Sequence, residues 1–146
     1  MLALPLRLSA LCATVLAVTA CGGGSAEADV RETVSGYFVA LSKRDFAGAC
    51  ARVSPAFETE LVSYARRAFP DFASTDCEPI ARRIAEANGD RLVGLQNQVE
   101  VRSAEVDGDS ATAQLGPGQV ATLEQIDGDW LIAKLDFTGA TGTTPP

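Results

Sequence analysis

The sequence predicts an α+β domain, helices first and an antiparallel sheet after, on three observations. From Asp29 to Gly89 the apolar residues recur at helical spacings of three and four. After Arg91 the pattern changes to period two, the signature of half-buried strands. Short Asp/Gly/Pro clusters then punctuate the chain where hairpin turns belong. Such a pattern favours helices packed on one face of a sheet.

Asp29 to Ser42 reads as an amphipathic helix. Val30, Val34, Phe38 and Leu41 share a stripe, with Tyr37 beside them, and Asp29 and Glu32 have capping-box spacing. Asp45 is placed to cap a short second helix carrying Phe46, Ala49, Cys50 and Val53 on its apolar side. Ser54-Pro55 opens a third helix, because proline suits a first turn that has no N–H partner anyway. It carries Phe57, Leu61, Tyr64 and Ala65 and stops near Phe69-Pro70. Asp76 or Thr75 opens a fourth helix, with Ile80, Ile84 and Ala87 on one side and Asn88-Gly89 as its stop. Leu92 to Leu95 reads equally as a short extra strand or a bridging segment.

Four strands are then expected: Gln98–Val106, Ser110–Leu115, Gln119–Ile126 and Trp130–Phe137. Val99 and Val101 share a face of the first; Ala111, Ala113 and Leu115 share a face of the second. In the fourth, Leu131, Ala133, Leu135 and Phe137 alternate toward one side. Trp130 and Ile132 then fall on the opposite, exposed face and form a candidate contact patch; a sheet curved enough to bury both faces at its end would remove that patch. Asp107-Gly108-Asp109 and Asp127-Gly128-Asp129 are turn signals, and Gly116-Pro117-Gly118 separates the middle strands.

The N-terminus is of another kind. Arg7 leads an uncharged apolar stretch from Leu8 to Ala20, too short to span a bilayer and suited to a signal peptide. Val18-Thr19-Ala20-Cys21 at its end, followed by Gly22-Gly23-Gly24-Ser25, resembles the lipobox of bacterial lipoproteins. That resemblance implies diacylation of the Cys21 thiol and cleavage before it. Residues 1–20 are then the signal peptide and 21–28 a lipidated cysteine with a flexible linker reaching about 15 Å. Residues 29–138 are the folded domain and 139–146 a disordered tail. The alternative is an ordinary signal peptide cut after Ala20. Cysteine arithmetic weighs against it. Of the four cysteines, Cys12 leaves with the leader, and a lipidated Cys21 leaves Cys50 and Cys77 as an even pair. Outside the cytoplasm that pair is expected to form a structural disulfide. A redox pair would need Cys-x-x-Cys or a thiol-activating neighbour, and neither is present.

The formal net charge is −7, and loss of Arg7 with the leader makes the mature chain −8. So acidic a domain is a poor binder of nucleic acid or anionic headgroups. Arg66-Arg67 and Arg82-Arg83 read as solvated helix faces, with Arg82 and Arg83 also a candidate anion site. The chain has no histidine, which removes Ser-His-Asp and Cys-His catalysis and His-based zinc sites. No phosphate loop is present, and the two Asp-Gly-Asp turns lack the further ligands of a calcium loop. No metal or cofactor is expected.

Val34-x2-Tyr37-Phe38-x-Ala40-Leu41-x3-Asp45-x4-Cys50, followed by a meander ending Asp-Gly-Asp-Trp-Leu-Ile, resembles the small exported lipoproteins of the NTF2-like, cystatin-like superfamily, of an actinobacterial type. The resemblance implies a curved sheet wrapped around helices to form a cone with an apolar pocket. The expected role is a non-enzymatic accessory domain of the cell envelope, attached to the membrane through Cys21, since fold alone does not assign an activity. Its partner would be an envelope protein or a small apolar ligand, or a second copy in a homodimer. The enzyme alternative is a ketosteroid-isomerase-like pocket, which needs a carboxylate and an oxyanion donor. Tyr37, Tyr64, Glu124 and Asp136 are the candidates, each also readable as a packing or solvent-facing residue.

Overall fold

The computed structural model describes residues 23–89 and 99–137. The expected leader, Cys21, the Leu92–Leu95 segment and the tail lie outside the described residues. The class is α+β. Helices Gly23–Ser42 (α1), Phe46–Cys50 (α2), Pro55–Ala68 (α3) and Cys77–Asn88 (α4) precede strands Ser103–Asp107 (β1), Ser110–Gly116 (β2), Gln119–Ile126 (β3) and Asp129–Asp136 (β4). The strands form one antiparallel sheet in the order β1-β2-β3-β4, with β1 and β4 at its two edges, so the sheet is not closed.

α1 begins at Gly23 rather than at Asp29. Ala26, Glu27 and Ala28 favour helix and carry it through the segment expected as linker. Asp29 and Glu32 therefore lie inside the helix and not at a capping box. Its end matches expectation: Arg44, at φ 58, turns the chain, and the Asp45 N–H returns to the Ala40 carbonyl at 2.8 Å. Asp45 then caps α2, its carboxylate accepting from the Gly48 N–H at 2.9 Å. Because α2 is five residues long, far below the length at which a helix holds itself, this cap matters. Asp45→Ala is expected to cost about 1 kcal/mol, measured by urea unfolding.

α1 lies across the sheet, with Val30, Val34 and Phe38 buried against Ala104, Ala111, Ala113 and Ala121. Four alanines on the inner sheet face leave room for the larger helix side chains, the complementarity that close packing requires. The Arg31 guanidinium donates to the Val101 carbonyl at 2.9 Å, and the Thr33 hydroxyl donates to the Trp130 carbonyl at 3.2 Å. These bonds fix α1 at both edges of the sheet. Val99 and Val101 precede β1, which is shorter than the expected strand, yet both still pack on the core.

Strand β4 departs most from the sequence reading. Trp130 is 6% exposed and Ile132 0%, so both belong to the core and neither forms a surface patch. The cause is a bulge. Thr122 pairs with Lys134 but Leu123 pairs with Ile132, which leaves Ala133 as an extra residue on β4. An extra residue switches the side to which a strand's side chains point. Before the bulge Trp130 and Ile132 face α1; after it Leu135 does, paired with Ala121 and packed on the core. Leu131 accordingly falls on the outer face, half-buried. Across the middle of that outer face runs an exposed row of Glu105, Thr112, Thr122 and Lys134.

The β4 edge is covered by the chain between α2 and α3. The Ile132 N–H donates to the Arg52 carbonyl and the Ser54 N–H to the Ile132 carbonyl, both at 2.9 Å. This short parallel bridge between Val53 and Ile132 blunts an edge that would otherwise be open to pairing. All three hairpin turns use glycine where φ is positive: Gly108 at φ 60, Gly118 at φ 67, and Gly128 at φ 94 following Asp127 at φ 54. Two consecutive positive φ values are what the tight Asp127-Gly128 turn demands.

Candidate functional site

The candidate site lies within the helical layer. Each of the four helices contributes residues to one apolar cavity of about 160 Å³. Tyr37 and Leu41 come from α1, Phe57 and Leu61 from α3, and Ile84 from α4, with the Cys50–Cys77 disulfide forming part of the wall. The α1 and α3 pairs are each four apart, about one helical turn, which stacks their two side chains on one face. Phe38 takes the sheet-facing side of α1, and its neighbour Tyr37, about 100° further round the helix, faces α3. The Tyr37 ring meets Phe38 and Phe57 edge-on, with centroids 5.2 and 6.1 Å away. Desolvation pushes the Tyr37 pKa above its ordinary value, so the hydroxyl stays neutral.

The disulfide joins α2 to the first residue of α4, with Cα atoms 5.9 Å apart. The structure thus contains the expected Cys50–Cys77 bond. Cys77 also packs against the core cluster between α1 and the sheet. The bond therefore holds α2 and α4 at a fixed spacing around the cavity.

The other candidates lie elsewhere. Tyr64 is 44% exposed on α3 and stacks edge-on with Phe69 at 6.4 Å. It lines a separate surface cleft with Glu60, Arg67, Leu135 and Phe137. Glu124 sits on the outer face of β3, opposite Leu131, because the adjacent Leu123 is the residue that points into the core. Asp136 pairs with Val120 on that outer face, its carboxylate 4.0 Å from the Lys134 ammonium. The sheet therefore separates Tyr37 from both carboxylates. An isomerase-type site needs the carboxylate and the oxyanion donor within reach of one substrate. These four residues do not form one.

Arg82 and Arg83 are engaged locally. Arg82 pairs with Glu78 at 2.9 Å and lies over the Phe46 ring at 5.1 Å; Arg83 lies over Phe69 at 4.7 Å. Glu78 and Glu86 share their cleft, which opposes an anion. A further open cleft holds Asp29, Glu32, Arg52 and Asp129. Among the described residues no group of three or more His, Cys, Asp or Glu side chains is arranged to hold a metal ion. No helix among them is long and apolar enough to cross a membrane.

Sequence reasoning singled out most of the cavity's residues but not the cavity. Tyr37, Leu41, Ala49, Cys50, Phe57, Leu61 and Ile84 were legible as helix stripes, while Ala81, whose small side chain helps leave the space open, gave no signal of its own. Compared with family models, curated proteins and solved structures, the chain matches none of them.

Proposed function

We propose that this protein is an exported, lipid-anchored accessory domain of the cell envelope, built on an NTF2-like plan, that acts by binding and not by catalysis. The observation that carries the reading is the Cys50–Cys77 bond. A structural disulfide belongs to an oxidising compartment, which supports export. With these two cysteines paired, Cys21 is the remaining cysteine beyond the leader, and it stands at the lipobox-like Val18-Thr19-Ala20-Cys21. Two acyl chains on that thiol give stable anchoring where one gives only marginal attachment. Helices followed by a four-stranded antiparallel meander support the NTF2-like plan. An apolar cavity free of any acid–base pair supports binding over chemistry.

Intact-mass measurement on the protein extracted from membranes tests the anchor. The expected species lacks residues 1–20, carries a diacyl or triacyl adduct on Cys21 and shows no free thiol at Cys50 or Cys77. Cys21→Ser is expected to move at least about ten-fold more protein into the soluble fraction. An unmodified Cys21 on a processed chain would overturn the reading.

A further inference from the structure

We propose that the cavity inside the helical layer is a binding site for a small, uncharged, ring-sized apolar molecule, of benzene to phenol size, with the Cys50–Cys77 bond as a fixed part of its wall. The inference rests on the binding half of the proposed function and is independent of the anchor at Cys21.

Size and lining argue for it together. The cavity measures about 160 Å³. An apolar protein cavity of about 150 Å³ stays dry and accepts benzene, because a water needs two to four polar partners to enter. Here the one side chain on the wall with an oxygen or nitrogen is Tyr37. A single hydroxyl gives an ordered water too few partners, so a ligand displaces only weakly held water, and the same hydroxyl can meet one oxygen of a ligand such as phenol. Neutrality of the ligand follows from the same wall. No charged side chain lines the cavity, and the Tyr37 phenol is neutral, with desolvation pushing its pKa further up. A charged guest would be stripped of water with nothing to pair it.

The position of the space is also specific. Val30, Val34, Phe38, Trp130 and Ile132 fill the volume between α1 and the sheet, where the cone-shaped pocket of an NTF2-like domain would lie. The cavity instead sits among the four helices, and no strand residue lines it. It remains open because Ala49 and Ala81 stand where larger residues would close it, and because the disulfide resists the collapse of α2 onto α4.

The test is a benzene titration of the full chain in detergent micelles, read by methyl NMR. Saturable shifts are expected at Leu41, Leu61 and Ile84, with Val30 and Ile132 in the sheet-side core unmoved. The dissociation constant is expected on the order of 1 mM or tighter, as burial of one ring's apolar surface supports. Ala81→Leu, which projects into the space, is expected to weaken binding at least about ten-fold while the Val30 and Ile132 signals persist. Ala81→Val adds less volume, and an intermediate weakening is expected of it. Shifts that rise linearly without saturating, that spread equally to Val30 and Ile132, or that survive in both variants would overturn the site. Such a failure leaves the mass of the Cys21 adduct unchanged, whereas a missing adduct leaves this titration unchanged.

Discussion

Trp130→Ala is expected to lower the folding free energy by about 3–5 kcal/mol, the range for emptying a large aromatic position in a core. A domain of this size has only about 5–15 kcal/mol in total, so the loss removes a large share of its stability. The expectation comes from the β4 bulge. Trp130 is 6% exposed and packs with Val30, Val34, Leu123 and Ile132. It is the only tryptophan in the chain, so its fluorescence reports its own surroundings. In the native wild-type protein the emission should be blue-shifted and resist quenching by acrylamide, both features disappearing across the urea transition. Thr122→Ala, on the exposed outer row of the sheet, provides the contrast and is expected to change stability by less than about 0.5 kcal/mol. A loss below about 1 kcal/mol for Trp130→Ala would place the indole on the surface, where simple alternation counted from Leu131 and Leu135 puts it.

That discrepancy shows where the sequence stops being legible. Helix positions follow from local chemistry: the Asp45 cap, the Ser54-Pro55 start and the Gly89 stop each act within one turn of the chain, and each appears in the structure. Turn positions follow equally, because Asp127-Gly128 and Gly108 satisfy a backbone geometry that few residues accept. The inner faces of β2 and β3 obey period two. The face of β4 does not, because a single extra residue at Ala133 reverses it. Ala133 carries no mark of a bulge, which depends on how β3 and β4 fit together over α1. α1 likewise outruns its expected start because Asp29 has a capping residue's chemistry while Ala26–Ala28 have a helix interior's. The cavity belongs to the same class. Its residues were visible as stripes on separate helices, but empty space among four helices depends on their docking and has no residue pattern of its own. The disulfide was legible by counting, since pairing Cys50 with Cys77 needs only the compartment and the odd cysteine at Cys21.

Breaking that disulfide is expected to have the second large effect. The two cysteines are 27 positions apart, and closing a loop of that length restricts the unfolded chain by about 3.5 kcal/mol. Cys50→Ser/Cys77→Ser should therefore lower Tm by roughly 15 °C, followed by circular dichroism. The native side of the bond adds to the argument. α2 contributes only Phe46 and Ala49 as fully buried residues, and its five residues cannot sustain a helix alone. Without the bridge, its attachment depends on those two side chains and the Asp45 cap. The loss should accordingly be local first, with amide exchange rising in α2 and at the start of α4 before the sheet is affected. Since the bond is lost once, each single replacement should cost nearly as much as the double, the non-additivity expected of one shared interaction. Dithiothreitol treatment of the wild-type protein should reproduce the shift once thiol titration shows both cysteines free. A melt unchanged at full reduction would mean that α2 and α4 hold their spacing by packing alone. In that case the disulfide would not be what keeps the cavity open.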